Sequence, residues 1–241
     1  YFIPDVAYHL DKWERGFKKV INEQGADHHS TISRVRAGLQ GLNQNIPEDW
    51  PEYVLHQMIT VIKENKEVKI SKRAGSYLTL RELIDEVGCD ATRYFLVARR
   101  SDSQLVFNID LAKSQNNDNP VFYIQYAHAR ISKVLEQWGG DISKLKLDTS
   151  FNFESQAELR LIKSISIYPE IVSQATKELA PHQIANFLKD CAAELHSYYN
   201  ESKFLVEDEK IKIARLSLIN SAKYVLRNGL HLLGIEAPKQ M

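Results

Sequence analysis

The sequence predicts a chain in two parts, an α/β part up to residue 115 and an all-α helical bundle over residues 116–241. In the first part, short apolar runs alternate with helical patterns, which is typical of a parallel sheet with connecting helices. In the second part, apolar residues recur almost throughout at helical spacing. At the junction, Asn119-Pro120 places an N-cap residue before a proline at the first helical position, and this predicts the start of a long helix.

Two strands and one helix are predicted in the first 62 residues. The run 19–22 predicts a short buried strand that closes at Gly25, and the run 54–62 predicts a second strand. Between them, Asp27 precedes a helical pattern that ends at Gly38-Gly41. The apolar positions of this helix are Ile32, Val35 and Leu39.

Capping signals define the next two helices. Thr79 and Glu82 have the spacing of a capping box, in which each side chain satisfies a backbone N–H of the other residue. The helix that they open is predicted to stop at Gly88. Asp90 is predicted to cap a further helix, which runs to Arg99-Arg100.

Beyond residue 115 we expect about five helices. The first ends at Gly139-Gly140 and is followed by a polar linker over 141–150. A second helix is interrupted by Pro169, and another opens at Pro181. The apolar faces are predicted to contain Ile124, Ala127, Ile131, Val134 and Trp138 in the first helix, Leu159, Ile162 and Ile165 in the second, Ile184, Phe187, Leu188, Cys191, Leu195 and Tyr198 after Pro181, and Ile211, Ala214, Leu218, Ala222, Val225 and Leu226 in the last.

Composition excludes several classes of protein. The 31 basic and 31 acidic residues cancel, and 44% of residues are hydrophobic, which is a globular composition rather than a disordered one. No stretch approaches the roughly 20 uncharged apolar residues that a membrane helix needs, so no membrane partner is expected. Cys89 and Cys191 are too few for a disulfide framework or a multi-cysteine zinc site, so no metal site is predicted, and they fit a reducing cytoplasm. Because residue 1 is Tyr and not Met, we expect a piece of a longer protein.

The segment Lys69-Ile70-Ser71-Lys72-Arg73-Ala74-Gly75 is the first candidate for chemistry. It combines three cations, a hydroxyl and a glycine after a predicted strand, and such a loop suits a polyphosphate. It lacks the spacing of a P-loop. A solvated basic surface loop is the alternative interpretation.

Gly25-Ala26-Asp27-His28-His29 is the second candidate, between a predicted strand and a helix. Ligands of open α/β sheets lie at such strand ends, where glycine admits a ligand to the backbone and aspartate accepts from ribose hydroxyls. Adjacent histidines also raise the possibility of a metal, but no third ligand stands out. Plain N-capping by Asp27 is the other alternative.

The third candidate is a polar stripe formed by Tyr126, Arg130, Lys133 and Gln137 on the helix that follows Pro120. An aromatic residue with a guanidinium one turn away suits an unstacked nucleic-acid base and its phosphate. An ordinary solvated helix face is the alternative.

Taken together, these segments resemble the class I aminoacyl-tRNA synthetases, and closely the arginyl-tRNA synthetases of bacteria. The basic segment is similar to the second signature loop of that class, usually Lys-Met-Ser-Lys-Ser, with Ile70 in place of Met. The opening Tyr1-Phe2-Ile3-Pro4-Asp5 is similar to the family's amino-acid-binding segment, and the segment from Gly25 to its nucleoside-binding segment. The run 117–131 resembles the start of the helical anticodon-binding domain, and the run 234–241 resembles the family's C-terminus.

The resemblance implies a remnant of a class I nucleotide-binding, Rossmann-like catalytic domain over 1–115, with the signature loop, and an anticodon-binding domain over 116–241. It also implies an arginine–tRNA ligase in the cytoplasm, with L-arginine, ATP with Mg²⁺ and tRNA(Arg) as substrates, no tightly bound cofactor and a monomeric parent protein. The implied roles are Lys69 and Lys72 in catalysis, Gly25, Asp27, His28 and Ser71 in ATP binding, Tyr1 and Asp5 in arginine binding, and Tyr126, Arg130 and Met241 in tRNA binding.

Two departures from the family pattern bear on activity. The 241 residues contain no His-Ile-Gly-His type motif, so we expect this chain alone to bind tRNA without charging it. A glutamine near Ala26, which some branches of the family use for arginine, is taken to be missing. The alternatives are a non-catalytic tRNA-binding module and another class I synthetase such as the cysteine enzyme. The absence of zinc-type cysteine clusters argues against the latter.

Overall fold

Two units make up the chain in a computed structural model, which describes residues 1–68, 78–145 and 151–241. The first unit comprises residues 1–60 and 100–106, and the second comprises residues 61–99 and 107–241. In the described ranges no helix has both the length and the apolar character needed to cross a bilayer.

The first unit contains two helices and a pair of parallel strands. Its elements are α1 (Phe2–Glu14), β1 (Ile21–Gly25), a 3₁₀ turn (Ala26–His28), α2 (His29–Gln40) and β2 (Glu52–His56). Strand β1 lies two residues later than predicted, and its register places Gly25 opposite His56. The prediction that this strand is buried is wrong: Ile21 is 39% exposed, because among the described strands β1 pairs with β2 alone.

Close packing of α1 against α2 shapes this unit. Val35 and Leu39 are buried with Ile46 and Trp50, as predicted for the first two. Gly38 faces α1, where a Cβ atom would lie 2.7 Å from Cγ2 of Val6. The absence of a side chain at Gly38 therefore lets the two helices approach.

The single strand predicted over 54–62 is two strands, β2 and β3 (Ile59–Lys63). The chain leaves the first strand at Gln57, whose N–H donates to the carbonyl of Ser101. Strand β3 pairs antiparallel with β4 (Lys66–Val68) across a turn at Glu64 and Asn65, both with positive φ. With β5 (Leu105–Asn108) they form a sheet in the order β4-β3-β5. The sequence predicts a parallel sheet for the whole first part. The β1–β2 pair is parallel, and the β3–β4 pair is not.

The capping box at Thr79 is confirmed, and the cap at Asp90 is wrong. Helix α3 (Leu80–Val87) begins with Thr79 Oγ1 accepting from the N–H of Glu82 at 3.1 Å, and it ends at Gly88. Helix α4 (Cys89–Val97) is capped by the backbone of Gly88, and it stops before Arg99. The carboxylate of Asp90 instead binds groups that are distant in sequence. Asn108 then caps the short helix α5 (Ile109–Lys113).

The predicted five-helix bundle is confirmed within residues 116–145 and 151–241. Its helices are α6 (Pro120–Trp138), α7 (Gln156–Ser166), α8 (Tyr168–Lys177), α9 (His182–Glu201) and α10 (Glu209–Leu232). The side chain of Asn119 accepts from the N–H of Val121, and Gly139 ends α6 with a φ of 67°. At Gly229 a Cβ atom would lie 2.5 Å from Leu188, so glycine lets α10 approach α9.

Most predicted core positions of the bundle are buried. Leu159 is an exception at 42% exposure, because α7 turns Ala157 and Leu161 inward instead. The core of the second unit also includes Leu83 and Tyr94, which precede the bundle in sequence. The units therefore do not divide at residue 115, and the functional domains 1–115 and 116–241 stay a prediction.

Candidate functional sites

A cleft of about 720 Å³ in the first unit contains four of the residues that the sequence singled out. They are Tyr1 and Asp5 from α1, Gly25 from the end of β1, and His28 from the 3₁₀ turn. The remaining residues around the cleft are Phe2, Glu23, Gln24, Thr31, Arg34 and Val35. Both predicted arginine contacts and two of the three predicted adenosine contacts, Gly25 and His28, therefore line one cleft at the carboxyl end of a parallel strand.

Helix α1 presents Tyr1 and Asp5 on the same side. The N–H of Asp5 donates to the carbonyl of Tyr1 at 3.0 Å, so the two residues are one helical turn apart. Buried His9 fixes the helix: its Nδ1–H donates to the carbonyl of Asp5 at 2.7 Å, and its Nε2 accepts from the amide of Asn22 at 2.5 Å. This tautomer follows because a carbonyl oxygen can only accept. The Asp5 carboxylate itself stays exposed at the cleft.

Gly25 lies close to Asp27. A Cβ atom at Gly25 would meet the carboxylate of Asp27, which is the far end of an exposed side chain and can move aside. That carboxylate lies 3.7 Å from Nε2 of His28, with both side chains exposed, and it does not line the cleft. The alternative of N-capping by Asp27 is wrong, because α2 has no side-chain cap and its N-cap residue is His28. No group of three or more metal-ligating side chains occurs among the residues that the structure describes.

Sequence reasoning missed four polar residues of the cleft: Glu23, Gln24, Thr31 and Arg34. Gln24 stands two positions before Ala26, so the expectation that no glutamine occurs there is wrong. Thr31 Oγ1 donates to the carbonyl of His28 at 2.7 Å and holds the start of α2 in place. Thr31 and Arg34 lie on α2 at a three-residue spacing, and this spacing could have identified these two residues, because residues three or four apart share one helix face.

The charges of the cleft suit a zwitterionic or cationic ligand. Asp5 and Glu23 contribute two carboxylates, and Arg34 contributes a guanidinium. A carboxylate is the natural bidentate partner of a planar guanidinium ligand. The predicted phosphate contacts Lys69, Ser71 and Lys72 lie outside the described residues.

A second cavity, of about 500 Å³, lies in the bundle between α6, α9 and the C-terminal tail. It contains all three predicted tRNA contacts: Tyr126, Arg130 and Met241. Its other residues are Ala129, Lys133, Glu136, Tyr199, Lys239 and Gln240. Lys133 of the predicted polar stripe is included, and Gln137 is not.

Arg130 is held by aromatic and neutral groups. Its guanidinium carbon lies 3.7 Å from the ring centre of Tyr199 and 5.3 Å from that of Tyr126. Its Nη1 donates to Nδ1 of His196 at 3.0 Å. No carboxylate of the described residues lies within 4 Å of this guanidinium. Its positive charge is therefore available to a ligand in the cavity.

His196 is neutral in this arrangement. Arginine can only donate, so Nδ1 of His196 accepts, and Nε2–H donates to the carbonyl of Tyr123 at 3.2 Å. Burial lowers the pKa of His196, the bond to Tyr123 opposes this, and the charge of Arg130 lowers the pKa further. The His196 ring stacks on Tyr126 with 5.7 Å between ring centres. The His196 ring thus packs against one side of Tyr126, which remains 37% exposed.

The C-terminal tail is tied to α4 and α6 by Asp90 and Gln125. Asp90 Oδ1 accepts from the backbone N–H of Glu236 at 3.2 Å. The Gln125 amide donates to Asp90 Oδ2 at 2.7 Å and to the carbonyl of Glu236 at 3.0 Å. The three residues form a closed set of hydrogen bonds across segments that are far apart in sequence.

Two further bonds fix the tail on either side of Glu236. Arg93 Nε donates to the carbonyl of Leu233 at 2.7 Å. Nδ1 of His128 donates to the carbonyl of Pro238 at 2.8 Å, and burial lowers the pKa of this histidine. The tail is therefore fixed directly before Lys239 and Met241, which line the cavity.

Comparisons with known proteins show which proteins this chain resembles. Residues 124–241 match the sequence profile described as the DALR anticodon binding domain. The whole chain is 54% identical to the arginine–tRNA ligase of Bordetella petrii and 55% identical to that of Geobacter metallireducens. In both cases it spans 43% of the relative's length, which is less than half.

Solved structures show the same fold. One is a protein from Campylobacter jejuni assigned as an arginyl-tRNA synthetase, with a TM-score of 0.89 at 32% identity. It matches all of this chain and 52% of its own length. The arginyl-tRNA synthetase of Thermus thermophilus superimposes with a TM-score of 0.74 at 25% identity, over 93% of this chain and 41% of its own length.

Proposed function

We propose that this chain, which is related over its whole length to arginyl-tRNA synthetases, is part of an ATP-dependent arginine–tRNA ligase. In this reaction the arginine carboxylate attacks the α-phosphorus of ATP, and pyrophosphate leaves. A hydroxyl at the 3′ end of tRNA(Arg) then attacks the carbonyl carbon of the arginyl-adenylate, and AMP leaves. No covalent enzyme intermediate is needed, so positioning and charge stabilisation carry the catalysis.

The cleft of the first unit would bind arginine and the adenosine of ATP. Asp5 pairs with the substrate guanidinium, with Tyr1 beside it, and Glu23 adds a second carboxylate to the same lining. Gly25 leaves room for the nucleoside at the strand end, and His28 contacts it, with Asp27 adjacent. Lys69 and Lys72 neutralise the phosphates of the ATP·Mg²⁺ substrate and Ser71 donates a hydrogen bond to them, roles that rest on the family resemblance alone.

The cavity of the second unit would bind the anticodon arm of tRNA(Arg). Tyr126 is 37% exposed and offers an aromatic ring against which an unpaired base can stack. Arg130 supplies a cation for phosphate, and Met241 supplies an apolar wall. The single observation that carries the proposal is that these three residues, selected from the sequence, line one cavity. We also propose a monomeric, cytoplasmic parent protein.

Pyrophosphate exchange in the full-length parent tests the catalytic part of the proposal. Lys72→Ala should lower arginine-dependent exchange about 10²–10³-fold, because the lysine stabilises charge that builds on the leaving pyrophosphate. Lys66→Ala, in the exposed strand β4, is the matched control and should leave exchange unchanged. Binding of tRNA should be equal in both variants.

The same assays distinguish an arginine–tRNA ligase from a non-catalytic tRNA-binding module. A parent protein that binds tRNA(Arg) but never exchanges pyrophosphate in response to arginine would favour the non-catalytic tRNA-binding module. Unchanged exchange in Lys72→Ala would remove the assignment of the basic loop.

A further inference from the structure

A group of cations lies on α10 and the adjoining tail. Lys223, Arg227 and His231 follow at four-residue intervals, so they share one face of the helix. Lys239, from the tail, follows Pro238, whose carbonyl accepts from His128 of α6, the helix against which α10 packs. Burial lowers the pKa of Lys223, and repulsion from Lys239 and Arg227 lowers it further.

This concentration of positive charge is not neutralised locally. No carboxylate of the described residues lies within 4 Å of Lys223, Arg227 or Lys239. Arg227 contacts the ring of Tyr224 instead, at 4.8 Å from the ring centre. The chain as a whole has equal numbers of basic and acidic residues, so the cluster is a local excess and not a consequence of composition. Such an excess favours a polyanionic partner.

Lys239 connects this cluster to the bundle cavity. It lines the cavity beside Arg130 and Lys133, and its charge acts on Lys223 of α10. The residue before it, Pro238, is held by buried His128. The tail therefore fixes Lys239 where the cavity and the cationic face of α10 meet.

We propose that Lys223, Arg227 and Lys239 form a phosphate-binding edge for the RNA strand whose base enters the cavity. The inference rests on the proposed function, because it takes the occupant of the cavity to be RNA. A single strand with one base stacked on Tyr126 must place its neighbouring phosphates beside the cavity, where Lys239 lies, and Lys223 and Arg227 extend the positive charge along α10. Contacts of this kind position the strand without reading its sequence.

Salt titration of RNA binding by the full chain tests the edge. The dissociation constant for tRNA(Arg) is measured between 50 and 200 mM salt for Arg227→Gln and Lys239→Gln. Each variant should bind more weakly and should reduce the magnitude of the log–log slope by about one, because one phosphate contact is lost. Both side chains are exposed, so neither substitution should unfold the chain.

Lys210→Gln is the matched control, since it removes one exposed cation near the opposite end of the same helix. It should leave the slope as in wild type. If Arg227→Gln and Lys239→Gln behave like this control while Tyr126→Ala still weakens binding, the edge is wrong and the proposed function stands. If the wild-type chain binds no tRNA even at 50 mM salt, the proposed function fails with it.

Discussion

Asp90 accepts a hydrogen bond from the backbone N–H of Glu236, a residue 146 positions later in the chain. The contact joins the first turn of α4 to the tail that carries Lys239 and Met241. It makes Asp90 a residue that shapes the bundle cavity without lining it.

Replacement of Asp90 should therefore weaken RNA binding, although Asp90 does not line the cavity. Asp90→Ala leaves the Gln125 amide and the Glu236 N–H with one partner fewer each. We expect a loss of about 1–3 kcal/mol in the free energy of unfolding and weaker tRNA binding. Urea denaturation and tRNA titration measure the two effects. Asp85→Ala, at an exposed position of α3, is the control, and equal tRNA affinity in both variants would contradict the role of the tail.

Acid should destabilise the second unit through His196. Its pKa is lowered in the fold, so its contribution to stability is complete above the unfolded value of about 6.5 and is lost as the pH falls below it. Burial is the main cause, because it disfavours the charged imidazolium, and a proton on Nδ1 would in addition face the donor of Arg130. Urea denaturation between pH 5.5 and 7 should show stability rising with pH. The rise in stability should be smaller in His196→Gln. Of the two histidines with a lowered pKa, this variant keeps only His128. An identical pH dependence in both proteins would contradict this.

The cleft of the first unit should depend on Gly38. In Gly38→Ala the new methyl group meets Val6 and Phe2 of α1, so the helices must separate. Overpacking of this kind costs about 1–3 kcal/mol, and we expect a lower melting temperature together with weaker arginine binding in the parent protein. Gly41→Ala is the control: its φ is −61° and the nearest atom to a new Cβ lies 3.4 Å away, so it should be tolerated.

Substrate selectivity should follow Asp5. In the parent protein, Asp5→Asn should raise the KM for arginine far more than the KM for ATP. It removes the negative partner of the guanidinium, a loss of about 2–5 kcal/mol. Asp11→Asn, on the same helix and paired with Arg15 on the surface, should change neither constant. An equal rise in both KM values for Asp5→Asn would mean that the residue only supports the helix.

Local signals predicted much of this fold, and long-range contacts explain what they missed. Three helix-end signals form their hydrogen bonds within four residues, so sequence spacing is enough to predict them: the capping box at Thr79, the N-cap at Asn119 and the helix end at Gly139. Asp90 has a cap-like position, but its partners lie 35 and 146 residues away. Leu159 is exposed because the buried face of α7 is set by its packing against α9.

The candidate sites divide in the same way. Tyr126 and Arg130 followed from helical spacing, whereas Met241 followed only from the family resemblance. Tyr199 lines the same cavity from another helix, α9, and no local sequence pattern predicts this. Gln24 was missed although it stands beside the recognised segment, because its place in the cleft depends on where β1 ends.

The most direct test of the account is the affinity of the 241-residue chain for tRNA(Arg), compared with the same tRNA carrying a substituted anticodon loop. The wild-type chain should bind the native tRNA more tightly. Tyr126→Ala should lose about 1–3 kcal/mol of binding to it and most of the preference, whereas Tyr8→Ala, an exposed tyrosine on α1, should lose neither. Equal binding of the two tRNAs by the wild-type chain would contradict the central claim that the bundle cavity receives the anticodon.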